Sequence, residues 1–187
     1  LMVGGGLRDE EQAKLANAAS VLSTHDFRLN RAPGASVSDI AQAAHLAKNL
    51  RLVVVDYLGL VRSDERGLSI YERVTKNSAA LKSLARSLNV PILCLAQLNR
   101  AAEQRADKCP SMADLRDSGA IEQDADAVIL LHRPAAYEAK QPLPWEAQPL
   151  TAIVAKNRHG NIGRLDFDFW GSSGIIMEHR LEVGGGV

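Results

Sequence analysis

Two short runs without a polar side chain, Leu52-Val-Val-Val55 and Pro91-Ile-Leu-Cys-Leu-Ala96, bracket a helix-patterned stretch, and that arrangement constrains the fold more than any other feature. An apolar run with no polar alternation is what a strand buried on both faces of a parallel sheet requires. Parallel neighbours in turn need a crossover of a dozen or more residues, usually a helix. Ile70 to Leu88 supplies it, with Val74, Leu81, Leu84 and Leu88 recurring on one face, and Asn89 with Pro91 ends it. Further strands are predicted at 127–131 and 151–155. Beyond the turn residues Asn161-Ile162-Gly163, Leu165, Phe167 and Phe169 alternate with Asp166 and Asp168, as in an antiparallel edge strand with one wet face and a hairpin near 165–177. The chain reads as α/β, its sheet parallel at the centre and antiparallel at its late edge.

The remaining segments fit around that sheet. Leu7 to Leu22 has the composition of an amphipathic helix, and Phe27 to Asn30 suits a short strand. After a turn at Pro33-Gly34, Ser36 or Ser38 can cap a second helix that runs to about Asn49, with Ile40, Ala44 and Ala47 along one face. Asn99 to Gln123, with Arg100, Arg105, Lys108 and Arg116, reads as a long polar loop, and loops of that length are usually functional or disordered. Pro134 to Pro149 is expected as a surface excursion.

With 46% hydrophobic and 24% charged residues, the 187-residue chain can bury one core, which argues against disorder, a collagen-like repeat or a disulfide scaffold. Twenty-two basic residues balance twenty-two acidic ones, so any nucleic-acid site must be a local arrangement rather than a property of net charge. Cys94 and Cys109 lack metal-ligand spacing and read as free thiols of a reducing compartment. No apolar stretch reaches the roughly 18 residues of a membrane span and no signal-peptide core is present, so a cytoplasmic protein is expected. The chain opens on Leu1 rather than Met and carries Gly-Gly-Gly near both ends, which suggests a segment whose flanks are missing.

In open parallel sheets ligands gather at the carboxyl ends of strands, and four predicted strand ends here are polar: Asp56, Gln97, His132-Arg133, and Lys156 with Arg158. Asp56 is suited to hold Mg²⁺ through its water shell and equally suited to cap a turn. Gln97 could orient a water or sense a phosphate, or simply satisfy a sheet end. Lys156 and Arg158 lie two apart and would point the same way on a persisting strand, where two cations can meet a phosphate or stand solvated. In Asp114-Leu-Arg-Asp-Ser-Gly-Ala-Ile-Glu-Gln-Asp-Ala-Asp126, Arg116 could contact a phosphate and Gly119 would admit close approach of backbone N–H groups. The alternative is a surface loop whose Asp114, Asp117 and Glu122 offset its positive charge. The five histidines show no metal-ligand spacing, no nucleophile elbow is present, and Trp145 and Trp170 do not make a base-stacking platform. None of the seven lysines follows a glycine, so these residues contain no Gly-Lys-Ser/Thr phosphate loop.

From about Leu7 to Glu178 the chain resembles the C-terminal, RecA-like motor domain of DnaB-type replicative helicases. The resemblance is densest in Leu52-Val-Val-Val-Asp-Tyr-Leu-Gly-Leu60, in Leu81 to Pro91 running into Ala96-Gln-Leu-Asn-Arg100, and in Glu103 to Lys108 with Asp114 to Asp126. It implies a RecA-like, mostly parallel sheet flanked by helices, forming an incomplete domain over 1–187 whose phosphate-loop region would lie upstream of Leu1. It further implies an ATP- and Mg²⁺-dependent helicase that moves along single-stranded DNA as a homo-oligomer, usually a hexameric ring, working with a primase and a helicase loader. By the same resemblance Asp56 matches the Walker B aspartate and Gln97 the glutamine that couples the γ-phosphate to the DNA loops. Arg116, Asp117 and Gly119 match a loop that holds the DNA backbone, and Lys156 and Arg158 match the basic pair reaching a neighbouring subunit's ATP. Two departures stand out: the family has Gln where this chain has Gly59, and Gln-Arg-Asn-Gly where it has Asn157-Arg-His-Gly160. A RecA-like recombinase, a clamp loader or regulatory ATPase, and a decayed DNA-binding remnant are the alternatives; the 103–126 stretch argues against the ATPase alternatives.

Overall fold

A serine at each helix start and a left-handed residue at one helix end define the central helices. In a computed structural model of the chain, the described residues are 8–30, 34–65, 67–99, 103–138, 142–143 and 145–179, with 116–118 described in backbone only. Leu7, Pro33 and Arg100 lie outside them. Ser69 caps α3 (Ile70–Leu88) by accepting from Glu72 N while the Glu72 carboxylate accepts from Ser69 N, so two orphan donors are satisfied reciprocally. The helix stops at Asn89, whose φ of 51° is one that Asn tolerates better than most residues, followed by Pro91. Ser36 and Asp39 make the same box on α2 (Val37–Leu46), which is shorter than the expected run to Asn49; Ser38 instead donates to Asp64 at 2.8 Å.

The chain divides into two compact units, residues 1–33 and 34–187. In the first, α1 (Asp9–Ser23) forms where a helix is expected. None of its residues is buried, Leu15, Val21 and Leu22 being more than half exposed, and Phe27 to Asn30 is not a strand.

In the second unit β1 (Val53–Val55) and β2 (Ile92–Cys94) pair in parallel, Val54 opposite Leu93, as the strand–helix–strand pattern predicts. Val55, Leu58, Val61 and Leu81 form a buried core, with Val37, Ile40, Val74 and Ile121 packed against it. The expectation of burial on both faces is not met: Val54 is 54% and Leu93 52% exposed, since this core takes in Val53, Val55, Ile92 and Cys94 from the strands. Cys94 belongs to the packed side, and burial pushes its thiol up to about 11, the behaviour of an inert core sulfur.

The expected single sheet is in fact two. β3 (Ala127–His132), β4 (Ala147–Asn157), β5 (Gly163–Trp170) and β6 (Ile175–Glu178) make a separate, wholly antiparallel sheet in sequential order. Antiparallel neighbours need only short connections, and the chain between β3 and β4 carries no helix longer than the single 3₁₀ turn at Pro134–Tyr137 among its described residues. β4 begins at Ala147, taking in residues assigned to the surface excursion, and β5 is an interior strand, so the edge belongs to β6. A second core, Leu115, Val128 and Leu130 with Leu98, Met112, Ile153 and Ala155, lies on one face of this sheet.

Within the long polar segment the chain forms a 3₁₀ helix, Met112–Ser118, and a short α4 (Gly119–Asp124). Its root is Asp114, which is 4% exposed and not the solvated charge that a surface loop would carry. Arg105 grips it bidentately at 2.9 and 2.6 Å, Ser111 donates through N and Oγ, and Arg105 also donates to the Cys109 carbonyl. The Arg105 hydrogen bond is the chief reason the Asp114 carboxyl titrates well below the usual range, against burial, which acts the other way.

A carboxyl whose pKa is depressed on folding contributes stability that is complete above its unfolded value, about 4, and is lost as pH falls through the folded one. Asp114→Asn is therefore expected to lower the urea midpoint at pH 7 by an amount equivalent to about 2 kcal/mol. The gap from wild type should narrow as pH drops below about 4. An equal gap at pH 7 and pH 3 would show that the ion pair is not its source.

Candidate functional site

The loop leaving β1 is fixed from α3. Arg73 Nη2 donates to Gly59 O at 3.1 Å, and one helical turn later Asn77 Nδ2 donates to Val61 O at 2.9 Å from a buried position. Leu58 N donates to Leu95 O and Leu95 N to Val55 O, both at 2.9 Å, so the ends of β1 and β2 are stitched together. Asp56 stands exposed at the carboxyl end of β1 and Gln97 exposed beyond that of β2, on the same edge of the parallel pair. Gly59 lies under the Tyr57 ring: a Cβ there would come within 2.7 Å of Tyr57 Cε2, so a larger residue would require the ring to move.

Gln97 lines a cleft of about 510 Å³ with Asn99, Glu103, Pro110, Leu131 and Tyr137. Sequence reading assigned Tyr137 no part, because nothing in residues 134–149 signals that they return to the end of β2. Tyr137 stacks on His132 and lies 5.4 Å from Lys108 Nζ, which also donates to its carbonyl.

Lys156 and Arg158 are not on that edge. β4 runs antiparallel to β3, so its carboxyl end returns to the start of β3, where Val128 faces Lys156 and Ala127 faces Asn157. The register slips between Val128 and Ile129, which makes Ala155 the extra residue of a β-bulge. The slip puts Lys156 opposite Val128, on the face that carries Leu130 and α4. Without it Ala155 would take that place and Lys156 would turn away. Lys156 Nζ donates to the Glu122 and Gln123 carbonyls at 2.5 and 3.4 Å. Arg158 donates through Nη1 to Asp126 Oδ1 at 3.1 Å and through its backbone N to Asp126 O at 2.8 Å.

Asp126 also accepts from Lys82, and Asp124 accepts from Ser78 at 2.7 Å, a second polar pair one turn apart on α3. The Lys82 hydrogen bond first, then the Lys82 and Arg158 charges, holds the Asp126 carboxyl below its usual range. These partners lie 32 to 46 residues apart in the chain, so no local pattern could reveal them. Beyond Arg158 an Asx turn closes the hairpin: Asn157 Oδ1 accepts from His159 N at 3.3 Å. A Cβ at Gly160 would meet the Asn157 amide at 2.7 Å, so this glycine is required by close approach.

Arg116 and Asp117 lie on the Met112–Ser118 backbone, between buried Leu115 and Gly119, the first residue of α4; their side chains are outside the described residues. A Cβ at Gly119 would meet nothing within 4 Å and its φ is −49°, so neither packing nor conformation within this chain demands glycine there. Among the described residues no group of three or more His, Cys, Asp or Glu could hold a metal, and no helix is long and apolar enough to cross a membrane.

Comparison with known proteins agrees with this architecture. The chain is 43% identical over 162 residues to the replicative DNA helicase DnaB of Mycobacterium leprae (strain TN), covering 85% of this chain and 26% of that protein. It is 37% identical over 169 residues to the replicative DNA helicase DnaC of Bacillus subtilis (strain 168), covering 88% and 37% respectively. The chain thus spans roughly a quarter to two fifths of these relatives' length. A solved DnaB-like replicative helicase, described together with its interactions with primase, superposes with a TM-score of 0.85 at 29% identity over 96% of this chain and 43% of that one. A solved helicase-type ATPase domain gives 0.82 at 31% identity, over 93% and 62%. The family model described as the DnaB-like helicase C-terminal domain matches residues 2–175, nearly the whole sequence, and the chain belongs to that family.

Proposed function

We propose that this chain is part of the ATP-driven motor of a replicative DNA helicase, which separates duplex DNA by moving along one strand as a homo-oligomeric ring in the cytoplasm, alongside a primase and a loader. One observation carries the reading: the chain splits its phosphate-directed groups between two ends of the same unit. Asp56 and Gln97 share the carboxyl edge of β1–β2, whereas Lys156 and Arg158 sit at the start of β3, with Arg158 on Asp126. Leu131, on the wall of Gln97's cleft, lies five residues further along β3, or roughly 17 Å of strand. That separation favours two half-sites completed across a subunit boundary over one site within the chain.

The donor set fits Mg²⁺ in the way that ion is usually held, by one carboxylate through water together with substrate phosphates rather than by a protein cage. Asp56, exposed on a loop pinned by Arg73 and Asn77, would orient that water shell. ATP supplies the transferable phosphoryl group. Gln97, whose cleft wall includes Asn99, bonded through its N–H to the Asp114 carbonyl, would report on it to the DNA loop. Arg116 would contact DNA phosphates, Asp117 would help set the loop, and Gly119 would leave its N–H open to a phosphate oxygen. Lys156 and Arg158 would act on a neighbour's ATP, the arginine stabilising charge that develops in the transition state. The 187 residues carry no Gly-Lys-Ser/Thr loop, so alone they are expected to hydrolyse ATP negligibly.

In the full-length protein Arg158→Ala should reduce ATP hydrolysis by on the order of 10³ while ring assembly persists. Mixing it with subunits lacking the phosphate-loop lysine should restore turnover at mixed interfaces. Unchanged hydrolysis by Arg158→Ala, or no recovery in verified mixed rings, would remove Arg158 from the reaction. Arg116→Ala should weaken single-stranded DNA binding about equally on all sequences and reduce the salt slope by about one unit at most, with ATP binding retained. A loss confined to particular sequences would contradict a phosphate contact.

A further inference from the structure

The last turn of α4 and Asp126 just beyond it form a single acceptor cluster, and three cations converge on it. Carbonyls at the end of a helix have no partner within the helix and carry the negative end of its dipole. Lys156 occupies those of Glu122 and Gln123. Asp126 divides its carboxylate, one oxygen accepting from Lys82 and the other from Arg158, while its own carbonyl takes the Arg158 N–H. Lys82 belongs to α3, so the cluster is anchored to the long helix as well. At its other end α4 starts at Gly119, directly after the Met112–Ser118 turn.

We infer that Asp126 is a positioning residue for Arg158. It fixes where the guanidinium is presented, and with Lys156 seated on the end of α4 it makes that presentation depend on the helix that begins at the DNA-directed loop. The inference rests on the reading of Arg158 as the residue that serves a neighbour's ATP, and it assigns a role to a carboxylate outside that machinery. Asp126 suits the task because its side chain is half exposed: an ion pair open to water orients a guanidinium without holding it against a competing polyphosphate. A fully buried carboxylate would trap the arginine instead. The backbone hydrogen bond from Arg158 to Asp126 survives any change of the side chain, so substituting the carboxylate should loosen the guanidinium and leave the strand end in place.

The test uses the full-length protein. Asp126→Asn is expected to lower the rate of DNA-stimulated ATP hydrolysis at saturating ATP by about ten- to a hundredfold, with oligomer mass and single-stranded DNA affinity unchanged. Asp126→Glu, which keeps the charge on a longer arm, should fall between the two. In rings mixed with subunits lacking the phosphate-loop lysine, an Asp126→Asn subunit supplies an intact phosphate loop and the partner an undisturbed arginine, so the rate per mixed interface should return to near that of wild type. A fault within the Asp126→Asn subunit's own ATP site would not be rescued, and a rate that stays low in verified mixed rings overturns the inference. Wild-type hydrolysis by Asp126→Asn while Arg158→Ala is inactive also overturns it and leaves the Arg158 reading intact; normal hydrolysis by Arg158→Ala removes both.

Discussion

Two polar pairs on one helix organise the unit formed by residues 34–187. Arg73 and Asn77 hold the carbonyls that follow β1, while Ser78 and Lys82 hold Asp124 and Asp126 at the far end of α4. Each pair is spaced four residues apart, so one turn of helix suffices to present it. The apolar face of the same helix, with Leu81 at 5% exposure and Leu84 at 7%, supplies the burial that makes α3 stable enough to act as a reference. The relative magnitudes favour this division of labour. Removing a buried leucine costs about 2–5 kcal/mol, whereas an exposed ion pair contributes about 0–1, so the core sets where α3 lies and the polar contacts only aim what is attached to it.

The loop that precedes α4 follows the same logic with a different anchor. Asp114 and Leu115 are neighbours that plunge in opposite senses, one into the Arg105–Ser111 cage and the other into the second core, before the chain emerges at Arg116. A polar segment can therefore be well placed without being apolar, provided its charges are spent on each other. Arg105 illustrates the cost of counting charge from sequence: it stands among the basic residues of the loop, yet its guanidinium is given over to Asp114 and the Cys109 carbonyl.

Much of the architecture was legible beforehand. The β1–α3–β2 unit, the Asn89 stop and the turn after β4 follow from period, capping and turn chemistry, which act over a few residues. The sheet count was not legible, because the same apolar run at 127–131 serves a parallel centre or an antiparallel edge, and only the pairing decides. Burial was over-read for the same reason. Val54 and Leu93 are as apolar as a two-sided strand demands, but the residues that pack on β1–β2 lie to one side. At the candidate site the residue types at strand ends could be read, while their grouping could not. Asp126, Lys82 and Tyr137 gain their meaning from partners more than 25 residues away, or from a return of the chain that no local signal announces.

The bulge at Ala155 is a matter of parity. In a strand the side of the sheet that a residue faces is decided by whether its count from a reference is odd or even, and one extra residue inverts the rule for everything after it. The cationic end of β4 therefore inherits its orientation from an alanine that makes no contact with any phosphate-directed group. Loss or gain of a single residue between Leu150 and Lys156 would reverse which side of the sheet bears the charge while leaving composition, hydropathy and every motif in place. Such a change would pass unnoticed in a comparison of residue types, and it separates sequences that share the letters of this strand from those that share its geometry.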